Sequence, residues 1–178
     1  FGLDTRGPDL ADWMAMVKTA TTVTETVTIA MVGKYVELQD SYLSAVEALN
    51  HGGIGNKVKV KIDWIDSETI TADNAAEILG NADGVLVPGG FGQRGIEGKN
   101  IAANYTRVNN IPTFGICLGM QCMVVEFARN VLGIADANSR EMNEATPNNV
   151  VDIMEELKAH LSDTMRMGNF DCALIEGS

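Results

Sequence analysis

A cysteine between two glycines is the feature of this sequence best suited to covalent chemistry. Cys117 lies in Gly115-Ile-Cys-Leu-Gly119, directly after an apolar run and before a helical pattern. A nucleophile at such a strand-to-helix turn is exposed, because small residues two positions before and after it avoid collision with neighbouring elements. The start of a helix also favours thiolate over thiol, since unpaired N–H groups and the helix dipole stabilise negative charge. We expect Cys117 to be a nucleophile that projects into a cleft.

The other two cysteines have no such surroundings. Cys122 and Cys172 lie in ordinary apolar context, and free cysteine is among the residue types most often buried. We therefore expect both to fill the core. The cysteines number three, which is odd, so a disulfide framework is not expected. Their spacing does not match that of metal ligands, so a zinc site is not expected either.

A glycine-rich turn follows another apolar run. Pro88-Gly-Gly-Phe-Gly92 comes directly after Gly84-Val-Leu-Val87, and consecutive backbone N–H groups in such a turn can bind a developing oxyanion. Taken alone, this composition indicates only a turn. Next to the cysteine turn it predicts an oxyanion hole, with the N–H groups of Gly90 and Leu118 as the candidate pair.

The elements that must position these residues alternate between strand and helix patterns. This alternation predicts an α/β fold with a doubly wound, mostly parallel sheet and helices on both faces. Both motifs would then lie at the carboxyl ends of strands, where such sheets bind ligands. The predicted strands span 26–32, 58–65, 84–87 and 111–116, and the predicted helices run from Asp40 or Ser41 to Gly52-Gly53, over 71–79, over 98–109 and over 118–131. Beyond Gly133 the pattern weakens: 135–149 is polar and turn-rich, 150–161 is short helix or coil, and 164–175 is a hairpin.

Length and charge restrict the class of protein. A chain of 178 residues fits one domain. The net charge of -11 repels phosphate backbones and anionic lipid surfaces, so neither nucleic acid nor a membrane is an expected partner. With no apolar run of membrane-spanning length and no leader pattern, we expect a soluble, cytoplasmic protein. The chain begins at Phe1 among turn-forming residues, which predicts an interdomain linker over 1–22 and a domain over 23–178.

Taken together, the cysteine turn and the glycine-rich turn resemble the class I glutamine amidotransferases, whose fold is flavodoxin-like. Further segments are similar to the CTP synthase family in particular, and they cover most of the chain: Pro8-Asp-Leu10, Gly33-Lys-Tyr-Val-Glu-Leu38, Gly90-Phe-Gly-Gln-Arg-Gly-Ile-Glu-Gly-Lys99, Val125-Glu-Phe-Ala-Arg-Asn-Val131, Ala137-Asn-Ser139 and Thr164-Met-Arg-Met-Gly168.

The resemblance implies an activity shared between two domains of one polypeptide. This domain would hydrolyse L-glutamine through a cysteine thioester and supply ammonia to a synthetase domain, where UTP is aminated to CTP. No cofactor or metal is implied here, whereas ATP and magnesium would belong to the synthetase domain. The parent protein would be a homotetramer through its synthetase part, and this chain by itself monomeric or weakly associated.

The resemblance also assigns roles by matching position. Gly90 would contribute to substrate binding and to the oxyanion hole, with Leu118 as the second donor, and Phe91 would line the pocket. Gln121 and Glu141 would hold the amino acid head of glutamine, Glu141 by pairing with its ammonium. The alternative for Gln121 is a helix-surface amide, and the alternative for Glu141 is a solvated loop carboxylate.

One part of the family pattern does not occur in the sequence. The family places its general base in a His-x-Glu motif, and neither His51 nor His160 matches it; both are expected to be surface residues. We therefore expect a C-terminally incomplete domain that reacts with electrophiles but turns over poorly, since a thiol acting on an amide needs a base. Two alternatives remain: a cysteine-turn enzyme of the chaperone or deglycase type, and a non-catalytic or regulatory α/β module.

Overall fold

Four parallel strands form the central sheet, in the order β2-β1-β3-β4. The structure is a computed structural model that describes residues 7–90 and 92–152, together with residues 173, 175 and 177. Runs of β-branched and other apolar residues favour these strands, because such side chains pack well on a pleated surface. The strands are β1 Thr26–Gly33, β2 Lys59–Asp66, β3 Gly84–Val87 and β4 Thr113–Gly115.

Helices cover both faces of this sheet. The chain crosses from β1 to β2 in one direction and returns past β1 to β3 in the other, so right-handed crossovers place the two connecting helices on opposite faces. The predicted α/β doubly wound fold is therefore confirmed. The described ranges contain α1 Ala11–Thr22, α2 Leu43–Asn56, α3 Ala75–Leu79, α4 Ile96–Val108 and α5 Leu118–Asn130. Within these ranges, no helix has the length and apolar character that crossing a membrane requires.

The main core lies between one face of the sheet and helices α3 and α4. Alternate residues of the strands point toward it, as a period of two requires. Burying each large aliphatic side chain contributes roughly 1.5–3 kcal/mol, so this layer fixes the positions of the strand ends. Its buried members are Ala30, Val32, Ile65, Ile70, Ala75, Leu79, Val85, Val87 and Ala102.

The carboxyl ends of β3 and β4 meet at one edge of the sheet. Val87 pairs with Gly115 in the parallel register, and the Ile116 N–H donates to the Val87 carbonyl at 2.9 Å. Pro88 and Ile116, the residues that follow these strands, therefore lie side by side, and Gly89 lies next to Cys117.

The predicted end of α2 is wrong. The helix continues through Gly52 and Gly53 and ends at Asn56, with Lys57 in the left-handed conformation as its cap. Gly53 is required for packing: a Cβ there would lie 2.8 Å from both the Val58 carbonyl oxygen and a Val60 methyl group. The predicted cap is also wrong, because Asp40 and Ser41 lie in a 3-10 helix over Gln39–Tyr42 that precedes α2.

Several smaller differences concern element ends. α4 begins at Ile96 instead of residue 98, α3 begins at Ala75 instead of residue 71, and β4 is shorter than predicted. The polar segment after Gly133 contains two short parallel strands, β5 Ala137–Ser139 and β6 Asn148–Val151, that the sequence did not indicate. Val150 and Val151 are thus strand and neither helix nor coil. The remainder of the 150–161 segment predicted as short helix or coil, apart from Asp152, and most of the predicted 164–175 hairpin lie outside the described residues.

Candidate active site

Cys117 occupies a strained turn between β4 and α5. Its φ of 53° and ψ of -112° lie in a region that residues with a side chain rarely adopt, and such strain costs on the order of 1–3 kcal/mol. The flanking glycines permit this turn, because a Cβ at Gly119 would collide with the Val87 carbonyl and one at Gly115 would lie 2.6 Å from the Gly119 carbonyl carbon. The thiol is free and exposed, so it is accessible at this turn.

Cys122 has the opposite environment. It is fully buried on α5, where it packs with Ile96, Leu118 and Met142. Burial raises the pKa of the Cys122 thiol to about 11, so this thiol is protonated near neutral pH. The structure therefore contains one accessible and one buried thiol among its described residues, and Cys172 lies outside them.

The glycine-rich loop lies directly against Cys117. A Cβ at Gly89 would be 3.4 Å from the Cys117 Cβ and 4.0 Å from its Sγ. Gly90 follows with a φ of 144°, a value that favours glycine. Leu118 is the first residue of α5, so its N–H has no acceptor within the helix. Both candidate oxyanion donors thus belong to segments adjoining the sulfur. Phe91 lies outside the described residues.

Gln121 and Glu141 are brought together by a third residue. The Gln121 side-chain amide donates to a Glu141 carboxylate oxygen at 2.7 Å, and the Ser139 hydroxyl donates to the Gln121 carbonyl oxygen at 2.5 Å. The Glu141 N–H donates to the same Ser139 hydroxyl at 3.3 Å. Gln121 lies in the first turn of α5, and its N–H donates to the Cys117 carbonyl at 3.1 Å.

Sequence reasoning did not single out Ser139 as part of the site. It is 99% buried and ends β5, a strand that the sequence did not predict. In the sequence, the segment Ala137-Asn-Ser139 indicated the family but gave no role to Ser139.

The end of β1 forms a wall that faces the glycine loop. The Tyr42 hydroxyl accepts from the N–H groups of Lys34 and Tyr35, at 3.2 and 3.3 Å. The Lys34 side chain extends beneath the glycine loop, where a Cβ at Gly90 would lie 3.0 Å from its Cε. Between this wall and the loop is a cleft of about 460 Å³, lined in part by Leu38, Pro88 and Ile116. A cleft of this size accommodates a small polar molecule.

His51 lies away from the site. It is exposed on α2, near the end of a helix that runs antiparallel to the strands, and hence near the edge of the sheet opposite Cys117. His160 lies outside the described residues. Among the described residues, the sulfur therefore has no imidazole partner.

Comparison with known proteins identifies the family. Residues 37–178 match the class-I glutamine amidotransferases, so the chain belongs to the class I glutamine amidotransferase family. Within that family, it is similar to CTP synthases. It is 58% identical to the CTP synthase of Bacteroides fragilis over 173 residues, 96% of this chain and 32% of that protein. It is 54% identical to the enzyme of Clostridium perfringens over 179 residues, 99% of this chain and 34% of that protein.

A solved structure agrees with these relatives. The glutaminase domain of Trypanosoma brucei CTPS, with bound acivicin, is 47% identical and superposes with a TM-score of 0.68 over 72% of this chain and 50% of that one. The chain spans about a third of the length of the relatives it matches. These comparisons favour neither the chaperone or deglycase alternative nor the non-catalytic module.

Proposed function

We propose that this chain is the glutamine-hydrolysing part of a CTP synthase. The observation that carries the proposal is the position of Cys117: an exposed thiol in a positive-φ turn, against a glycine loop that can supply backbone donors. The similarity to CTP synthases over nearly the whole chain supports the choice within the family.

The thiolate of Cys117 attacks the side-chain amide carbon of glutamine. The carbonyl oxygen becomes an oxyanion that accepts hydrogen bonds from the N–H groups of Gly90 and Leu118. The departing nitrogen takes up a proton as this intermediate collapses, so the C–N bond breaks, ammonia leaves, and a thioester remains on the sulfur. Water then hydrolyses the thioester to glutamate and regenerates the thiol.

Gln121 and Glu141 bind the amino acid head of the substrate in this proposal. Glu141 has one carboxylate oxygen bonded to the Gln121 amide, and its other oxygen accepts from the substrate ammonium. Phe91 lines the pocket. The general base is the imidazole of the family's His-x-Glu motif, which does not occur within residues 1–178.

The remainder of the activity belongs to the larger polypeptide. We propose that the ammonia passes to a synthetase domain of the same chain, where ATP and magnesium support amination of UTP to CTP. The parent enzyme is a cytoplasmic homotetramer in this proposal, and this domain requires no cofactor of its own.

Covalent labelling tests the role of Cys117 in the chain itself. A glutamine analogue with a chloroketone in place of the amide should alkylate Cys117 at neutral pH and leave Cys122 unmodified, because the Cys122 thiol is buried and has a pKa of about 11. Peptide mass spectrometry locates the label, and excess glutamine should slow the reaction. Label spread equally over the three cysteines, or none at all, would refute the proposal.

Substitution in the full-length polypeptide tests the parent activity. Cys117→Ala should abolish CTP formation from glutamine and leave CTP formation from added ammonia unchanged. Loss of both would show that Cys117 supports folding. A full-length protein with no glutaminase activity would favour the non-catalytic module.

A further inference from the structure

Lys99 is buried beside the active site without an ion-pair partner in the hydrogen bonds and salt bridges of the described residues. It lies on α4 with 0% of its surface exposed, and its Nζ donates to the Pro88 carbonyl oxygen at 3.1 Å. Removing an ammonium from water costs several kcal/mol even after relaxation. An aliphatic side chain of similar volume would fill the same space without that cost. The hydrogen bond therefore calls for a functional explanation.

The groups around Lys99 connect it to the active site. Burial lowers the pKa of the Lys99 ammonium, and the nearby charge of Lys34 adds to this effect, while the thiols of Cys122 and Cys117 oppose it. Lys34 approaches Gly90 and Gly92 from the end of β1. The glycine loop is thus approached by two lysine side chains, and Lys99 bonds to Pro88, the residue where the loop leaves β3.

The bonded carbonyl is well placed to control the loop. Pro88 precedes Gly89, the residue next to Cys117, and Gly90, the candidate oxyanion donor. Glycines have little preference among backbone conformations, so the loop needs an external restraint to keep one shape. Oxyanion donors are effective only when they are held in place before the reaction.

We propose that Lys99 is a positioning residue for the oxyanion loop: its bond to the Pro88 carbonyl holds Gly89 and Gly90 against Cys117. The inference rests on the proposed function of Cys117 and adds a residue that touches neither the substrate nor the sulfur. Either protonation state of the amine can donate this hydrogen bond.

Lys99→Met tests the proposal, because methionine keeps most of the buried volume and removes the donor. The measured quantity is the ratio of two alkylation rates at Cys117, one with the chloroketone analogue of glutamine and one with iodoacetamide. The analogue's ketone oxygen needs the oxyanion donors, whereas iodoacetamide needs only the thiol. We expect the ratio to fall at least tenfold in Lys99→Met. Lys18→Met, on the exposed surface of α1, is the matched control and should leave the ratio unchanged.

Hydrogen exchange separates positioning from general stability. In Lys99→Met, amide exchange should accelerate in the peptide over 87–94 and stay unchanged in β1. An unchanged rate ratio with unchanged exchange in 87–94 would overturn the proposal, as would faster exchange throughout the sheet. If Lys99→Met does not fold, Lys99→Gln, one bond shorter, takes its place with the same expectations. Failure of both to fold would make Lys99 a folding residue and overturn the proposal.

The same measurements distinguish failure of the proposed function from failure of the proposal for Lys99. A wild-type chain that the analogue does not label at Cys117 would refute glutamine recognition. Exchange over 87–94 would then still decide whether Lys99 holds the loop.

Discussion

Ser139 determines which way the Gln121 amide faces. Its hydroxyl donates to the amide oxygen, so the amide nitrogen must point to Glu141. Removing the hydroxyl leaves the amide free to rotate. We expect Ser139→Ala to weaken glutamine recognition by about 1 kcal/mol, the usual value of one hydrogen bond, which corresponds to roughly fivefold in affinity. In chloroketone labelling, the half-saturating concentration should rise about fivefold while the saturating rate stays unchanged.

A matched substitution and a defined contrary result complete this test. Thr19→Ala removes an exposed hydroxyl from α1 and should change neither quantity. A lower saturating rate at an unchanged half-saturating concentration would show that Ser139 acts on Cys117 and not on the substrate-binding pair.

The sequence predicted site residues that belong to local motifs and missed those that depend on tertiary structure. Cys117 and Gly90 were evident because their neighbours in sequence create their geometry. Ser139 and Lys99 were not, since each reaches the site from a different element. Gln121 and Glu141 were indicated only by family resemblance, and their direct hydrogen bond depends on where β5 places the loop.

At the scale of elements, Glu126 joins α5 to α4. Its carboxylate is 98% buried and accepts hydrogen bonds from Arg107, Asn104 and Asn130. Desolvation acts to raise the pKa of this carboxyl, but the hydrogen bonds outweigh it and hold the pKa below its ordinary value of 4.5. The negative charge of Glu126 is therefore part of the folded structure.

The direction of this pKa shift predicts an acid dependence of stability. A carboxyl with a lowered folded pKa contributes stability that is present above its unfolded pKa and lost as the pH falls through its folded pKa. We expect Glu126→Gln to cost about 1–3 kcal/mol at pH 7, because it leaves buried donors poorly satisfied, and less below pH 4. Urea unfolding at both pH values measures this. Glu144→Gln, at an exposed position, is the control, and an equal loss at both pH values would contradict the prediction.

For the elements too, the sequence predicted what a local pattern determines and missed what tertiary packing determines. β1 and β3 were predicted closely because they contain short apolar runs with clear ends, and β2 because its polar and apolar residues alternate with the period of a strand. The end of α2 was missed because glycine usually terminates a helix, whereas Gly53 is there to let the helix approach β2. β5 and β6 were missed because strands of three and four mostly polar residues have no periodicity to detect.

At the scale of the whole molecule, α1 contributes little to the folded domain. It has no buried residue, and its apolar side chains Trp13, Met14 and Val17 are 63%, 70% and 52% exposed. A helix that buries so little apolar surface adds little free energy, since stability follows the area removed from water. The sequence placed the same segment in a linker, and the boundary at residue 22 can be tested directly.

We expect a chain over 23–178 to unfold within about 0.5 kcal/mol of the longer one, the range typical of changes away from the core. Its Cys117 should be alkylated at the same rate, because α1 contributes no residue to the described part of the site. A chain over 31–178 is the contrasting deletion: it lacks most of β1, which pairs with both β2 and β3, and should not fold. Urea unfolding and iodoacetamide kinetics measure both. A loss above about 2 kcal/mol on removing 1–22 would exceed what exposed residues contribute and would place α1 inside the domain.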